Sequence, residues 1–167
     1  MALRQGDAVG LSTFASEQPR YLAPVKGTSH LNTLLNTVYD LNSSQRSADY
    51  QAAATQLLAR QKRRALVVLV TNLREEDDDE LLPAVKRLSQ QHQVLVASLR
   101  EDVLDTLRQA PVQTLPEALA YCGIVDYMNV RAELHEQLSA HGVPVLDARP
   151  SEPVSYTHLT LPTNREV

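Results

Sequence analysis

Apolar and polar positions recur along this chain on two periods, one of about two residues and one of about three and a half, and the switches between them mark out the elements. Residues 8–14, AVGLSTF, follow Gly6-Asp7 and read as a mostly apolar strand, with YLAPV at 21–25 as its short partner. Pro24 has no N–H to donate, which confines that partner to an edge. Leu31, Leu34, Leu35, Val38 and Leu41 then fall at helical spacing behind a Thr28 or Ser29 cap. Asn42-Ser43-Ser44 breaks this helix. A second one, over 48–62, gathers Ala53, Ala54, Leu57 and Leu58 on one face, and alanines there predict close packing on a sheet.

The run ALVVLVTNL, 65–73, is apolar almost without a break and predicts a strand buried on both faces. Leu81, Leu82, Val85 and Leu88 mark the next helix, QVLVASL at 93–99 a second buried strand, and 101–109 a short helix that stops near Pro111. Thr114-Leu115-Pro116-Glu117 is a capping box, and it opens a long helix through Tyr121, Val125, Met128, Leu134 and Leu138. His141-Gly142 ends that helix, and VPVLDA forms the last strand. Strands alternating with helices predict an α/β fold: a doubly wound, mostly parallel sheet with helices on both faces.

Composition narrows the function classes. A chain of 167 residues is one domain with a real core, and 43% hydrophobic with 22% charged residues is the balance of a soluble globular protein. The net charge of −4 leaves no basic face to neutralise phosphates, which excludes a nucleic-acid binder. Lys62-Arg63-Arg64 reads instead as a basic last helical turn facing the negative end of the helix dipole. Cys122 is the only cysteine, so no internal disulfide forms. It lies in a helical pattern with no reactive signature around it, which predicts a small core residue in a reducing compartment. No stretch has the length of a membrane span and no signal peptide opens the chain, so the chain as written reads as cytoplasmic. His30, His92, His135 and His141 lack metal-ligand spacing and read as surface or helix-end residues. A Gly-rich phosphate loop is absent too.

The last fourteen residues, VSYTHLTLPTNREV, match nothing before them. Back-translated, VSYTHLTLPT resembles the transposase adapter of short-read sequencing libraries, with Asn164, Arg165 and Glu166 in the place of a variable index. Residues 1–153 are therefore expected to form the domain, and 154–167 to be a non-native translation that brings neither Tyr156 nor His158 to a site.

GDAVGLSTFAS, then YLAPVKGTSHLNTLLNTVYDL, then SADYQAAATQLLARQKRRALVVLVTNLREEDDDELL together resemble the C-terminal part of the domain-of-unknown-function-58 (DUF58) family, whose fold is von Willebrand factor A-like. The likeness rests on the order and phrasing of these segments over residues 3–152. It implies a central first strand ending in Asp-x-Ser-x-Ser ahead of Met1, and in many relatives a membrane-anchoring segment before that. It also implies a MoxR-type AAA+ ATPase as partner.

The resemblance bears on metal binding as well. Von Willebrand A-like domains can hold a divalent ion with that first loop, a Thr or Ser from a second loop, and an Asp after a later strand. Here the Thr/Ser position falls on Ala48, between Ser47 and Asp49, and the Asp position falls on Asn72. Ala48 offers no side-chain ligand, and Asn72 lacks the charge that holds a hard cation. No cofactor is therefore expected, magnesium belonging only to a full-length family context.

The acidic run Glu75–Glu80 has a plain explanation. Pro83 is tolerated in or near a first helical turn, which starts the helix at Asp78–Glu80 and puts the run at its positive end. Ligands of open α/β sheets bind at the carboxyl ends of the strands. The expected function is thus a non-enzymatic protein-interaction module presenting Ser12, Ser47, Asp49, Thr71, Asn72, Glu75, Glu76 and Asp77 at that edge. The alternative is a divalent-metal-dependent hydrolase using Asp49 and the carboxylates of 75–80.

Overall fold

A computed structural model describes residues 2–16, 18–41, 47–73, 78–99 and 102–148. The tail at 154–167 and the acidic residues Glu75, Glu76 and Asp77 lie outside the described residues. Five strands and five α-helices are described, in mixed α/β order, and the chain divides into two compact units. One comprises Met1–Ala65 with Asp77–Gln93, the other Leu66–Glu76 with Val94–Val167, so the chain passes between them at 65/66, 76/77 and 93/94.

The first unit opens with a 3-10 turn, Ala2–Gln5, and an antiparallel hairpin of β1 (Ala8–Ser12) and β2 (Tyr21–Lys26). The register slips between Val9 and Leu11, at Gly10. A Cβ on Gly10 would stand 2.8 Å from the Leu22 carbonyl oxygen and 2.9 Å from the Pro24 nitrogen, so the two backbones approach there as only glycine permits. Pro24 sits on an edge strand, as its missing donor requires.

Helix α1 (His30–Val38) follows, with Ser29 in the cap position but no side-chain cap bond. Its apolar stripe is not covered: Leu31 and Leu35 are 49% and 54% exposed, while His30, expected at the surface, is buried. Helix α2 (Tyr50–Arg60) packs on α3 (Asp78–Ser89) through Tyr50, Ala54, Leu81, Ala84, Val85 and Leu88. The close approach that the alanines predict is made chiefly to this helix rather than to a sheet. The Arg87 guanidinium donates to Thr55 Oγ1 at 3.0 Å across the pair.

Pro83 stands one turn deeper in α3 than a first-turn proline, where its ring removes the donor that would meet the Asp79 carbonyl. The basic triplet lies past the end of α2, yet Lys62 Nζ still reaches back to donate to the Leu58 carbonyl at 3.0 Å. His92, just after α3, is only 3% exposed, which corrects the expectation of a surface residue. Burial holds its imidazole below the ordinary histidine pKa, with the Gln61 backbone opposing more weakly.

The second unit holds a three-stranded parallel sheet in the order β3 (Leu66–Thr71), β4 (Gln93–Leu99), β5 (Val145–Ala148). The central strand carries the core: Val94, Leu95, Val96, Ala97 and Ser98 are all buried. The first strand does not fit its predicted burial. Leu66, Val68 and Val70 are 53%, 41% and 53% exposed, alternating with half-buried neighbours. Leu66, Val68 and Val70 leave the same face of β3, so one face of this strand is left open.

Helices α4 (Asp102–Gln109) and α5 (Leu115–Ala140) pack on each other. The predicted capping box is present: Glu117 N donates to Thr114 Oγ1, and the Glu117 carboxylate accepts from the Gln113 and Thr114 amides at 2.8 Å each. Those donors hold the carboxyl of Glu117 below the usual range. Gly142, at φ 74°, then turns the chain off the helix, as its position predicts. Ile124, Leu134 and Leu138 form the buried stripe of α5. Cys122 is exposed, because that stretch of α5 turns it away from the stripe, and so it is not the core residue expected. No described helix is long and apolar enough to cross a membrane.

Candidate functional site

The strand ends in each unit carry the residues singled out in the sequence. In the first unit, Ser12 is the exposed last residue of β1. Beyond it the chain makes a closed loop: Thr13 N donates to the Arg20 carbonyl at 2.9 Å, and Arg20 N donates to Thr13 Oγ1 at 2.8 Å. Within the loop Ala15 takes φ 58°, a left-handed conformation that costs a non-glycine residue on the order of 1 kcal/mol. Arg20 fastens the loop to α1 by donating to both oxygens of Asp40 and to the Thr37 carbonyl. The pairing lowers the Asp40 carboxyl below the usual range and raises the Arg20 guanidinium.

Phe14 carries the loop to the start of α2, its ring 5.5 Å from that of Tyr50 at a tilt of 55°. Ser12 and Asp49 are thus brought to one neighbourhood, with Ser47 exposed and Ala48 half-buried just ahead of the helix. Asp49 is the N-cap of α2, and its Oδ1 accepts from Ala52 N at 2.7 Å. That oxygen is committed to the helix.

In the second unit Thr71 closes β3 and Asn72 follows, both half-buried, with Thr71 Oγ1 donating to the Asn72 carbonyl at 3.4 Å. Leu73 is fully buried and anchors the chain as it leaves the strand. Among the described residues no group of three or more His, Cys, Asp and Glu side chains is placed to hold a metal ion. Asp49 and the described acids Asp79 and Glu80 therefore do not assemble a metal centre.

A further polar cluster lies at the carboxyl ends of the other two strands, and sequence reasoning missed it. Arg131 of α5 is only 2% exposed. Its guanidinium donates to the carbonyl of Leu99, the last residue of β4, at 3.1 Å, and to Asp147 Oδ1 of β5 at 2.7 Å. Ser98 and Asp147 are register partners in the parallel β4–β5 pair, so their side chains leave the same face of the sheet. His135 lies one turn along α5 from Arg131, on the same helix face. Burial and the Arg131 charge depress its pKa, and Asp147 pulls the other way. The signal was an arginine at position 131 in register with Leu134 and Leu138, where an apolar residue is the rule.

The comparisons agree with the resemblance at family level. The model of the family described as Protein of unknown function DUF58 matches residues 1–141. No curated protein and no solved structure matches the chain. With a family match over that much of its 167 residues, the chain belongs to the DUF58 family.

Proposed function

We propose that the chain is a von Willebrand A-like protein-interaction module, and that its contact surface is the carboxyl-terminal rim of its strands. In the first unit that rim is Ser12, Ser47 and Asp49. In the second it is Thr71 and Asn72, followed in sequence by Glu75, Glu76 and Asp77. The observation that carries the reading is the state of the polar groups there: Asp49 caps a helix, Asn72 has no charge and Ala48 has no donor atom. Such a rim offers hydrogen-bonding surface to a protein and little to a hard cation.

The partner is a MoxR-type AAA+ ATPase, and the acidic segment after β3 is its point of contact. The test is co-purification with such an ATPase, comparing the native chain with a Glu75→Lys, Glu76→Lys, Asp77→Lys variant of unchanged circular dichroism. The variant should lose the partner, and undiminished recovery would remove the loop from the interface. Calorimetric titration with magnesium and manganese should give no saturable heat. A saturable site abolished by Asn72→Ala would replace this reading with a metal-dependent hydrolase.

A further inference from the structure

The cluster at the carboxyl ends of β4 and β5 is balanced in an unusual way. The Arg131 side chain is only 3% exposed, whereas the Asp147 side chain that answers it is 41% exposed. Arg131 Nε and His135 Nε2 are both buried, and neither has a hydrogen-bond partner among the described residues. The groups around the imidazole can be named element by element. Arg131 lies one turn back on its own helix and Asp147 comes from β5, while β4 contributes the Leu99 carbonyl on the Arg131 side of the cluster. Arg131 and Asp147 are the charges that act on the imidazole, in opposite directions. One exposed carboxylate therefore serves two basic side chains on the same helix face.

We propose that Arg131, Asp147 and His135 form an acid-sensitive latch, closed while His135 is neutral, that fastens the C-terminal half of α5 to the carboxyl ends of β4 and β5. Protonation puts a second positive charge beside a buried guanidinium and adds a second buried N–H donor. Among the described residues Asp147 is the counter-charge of the cluster, and sharing it weakens its bond to Arg131. The latch opens by losing that bond, and α5 loosens from the strand ends below it.

Amide hydrogen exchange on the intact chain tests this, with rates corrected for the intrinsic effect of pH. Between pH about 7.5 and about 5.5, across the ordinary histidine range, the amides of Val145–Asp147 and Leu134–Leu138 should lose about tenfold in protection. His135→Gln should remove that loss. His92→Gln, altered in the other unit, should leave it in place. Arg131→Met, which has no guanidinium bond to release, should show a smaller loss than the native chain. The imidazole of His135, followed by NMR, should titrate below the ordinary histidine range. Protection that stays flat or rises in acid in the native chain overturns the latch, as does a loss that persists undiminished in His135→Gln.

Discussion

Truncating either side of the Arg131–Asp147 pair removes the same hydrogen bond, yet the two truncations should differ greatly in cost. Asp147→Ala leaves the guanidinium in place, 3% exposed and without its counter-charge. Breaking a fully buried ion pair this way costs about 3–5 kcal/mol. Because the lost carboxylate was 41% exposed and partly screened by water, the cost falls below that range, to about 2–3 kcal/mol. For a chain of this length that lowers the melting midpoint by about 5–10 °C.

Arg131→Met removes the buried charge itself. Asp147 keeps its 41% exposure to water, and the Leu99 carbonyl loses one donor at about 1 kcal/mol. The methionine recovers part of this by packing beside Leu134, so the net change should stay within about 1 kcal/mol. Adding Asp147→Ala to Arg131→Met should then cost almost nothing more, since the second change is expensive only while the guanidinium is present. Urea unfolding at neutral pH, followed by circular dichroism, gives all three values, provided the slope with denaturant is unchanged. If Arg131→Met proves costlier than Asp147→Ala, the pair is held by something other than the need to answer a buried charge.

Two further outcomes follow from groups with assigned partners. Thr114→Ala should cost about 1 kcal/mol by opening the capping box, and Thr114→Ser should restore most of it; equal melting midpoints for all three chains would show that the start of α5 does not depend on its cap. His92 has a folded-state pKa below its unfolded value, so the unfolded chain binds its proton first: the stability it contributes is complete above pH about 6.5 and declines as pH falls toward the folded value. His92→Gln should flatten part of that decline in urea midpoints, and an unaltered slope would contradict the burial seen here.

Legibility in the sequence tracked how local the deciding physics was. The capping box at Thr114–Glu117, the stop at Gly142, the edge placement of Pro24 and the start of α3 at Asp78 each depend on neighbours a few residues away, and each could be read directly. The parallel pairing of the strands was legible from their alternation with helices. What failed were statements about cover. Leu66, Val68 and Val70 look like a doubly buried strand because periodicity reports apolarity, not the presence of a second layer. Leu31 and Leu35 misled in the same way. His30 and His92 read as surface residues because the rule for histidine is an average over environments, whereas both are buried.

The site divides along the same line. Ser12 and Asp49 could be expected near one another from topology, and Phe14 against Tyr50 is the contact that brings them together. That Asp49 would turn inward to cap its own helix follows from its position before Tyr50-Gln51-Ala52, and the sequence holds that information too. The Arg131 brace does not lie in local sequence at all. It joins residues sixteen and thirty-two positions apart, and only the pairing of β4 with β5 sets its two anchors side by side.

The three passages of the chain between its units have a consequence for synthesis. No single cut separates the units, because each is made of two stretches with part of the other between them. On a ribosome, the first unit lacks α3 until residue 89 has been added, and by then β3 has already been made. Its partner β4 is complete only at Leu99, twenty-eight residues after Thr71. At ordinary elongation rates of about 5–20 residues per second, that leaves LVVLVT without its neighbouring strand for roughly one to six seconds. Over that interval this strongly apolar strand is a free edge, open to chaperones and to neighbouring nascent chains. Slowing translation between residues 72 and 93 with rare codons should therefore lower the soluble yield, although the finished protein is unchanged.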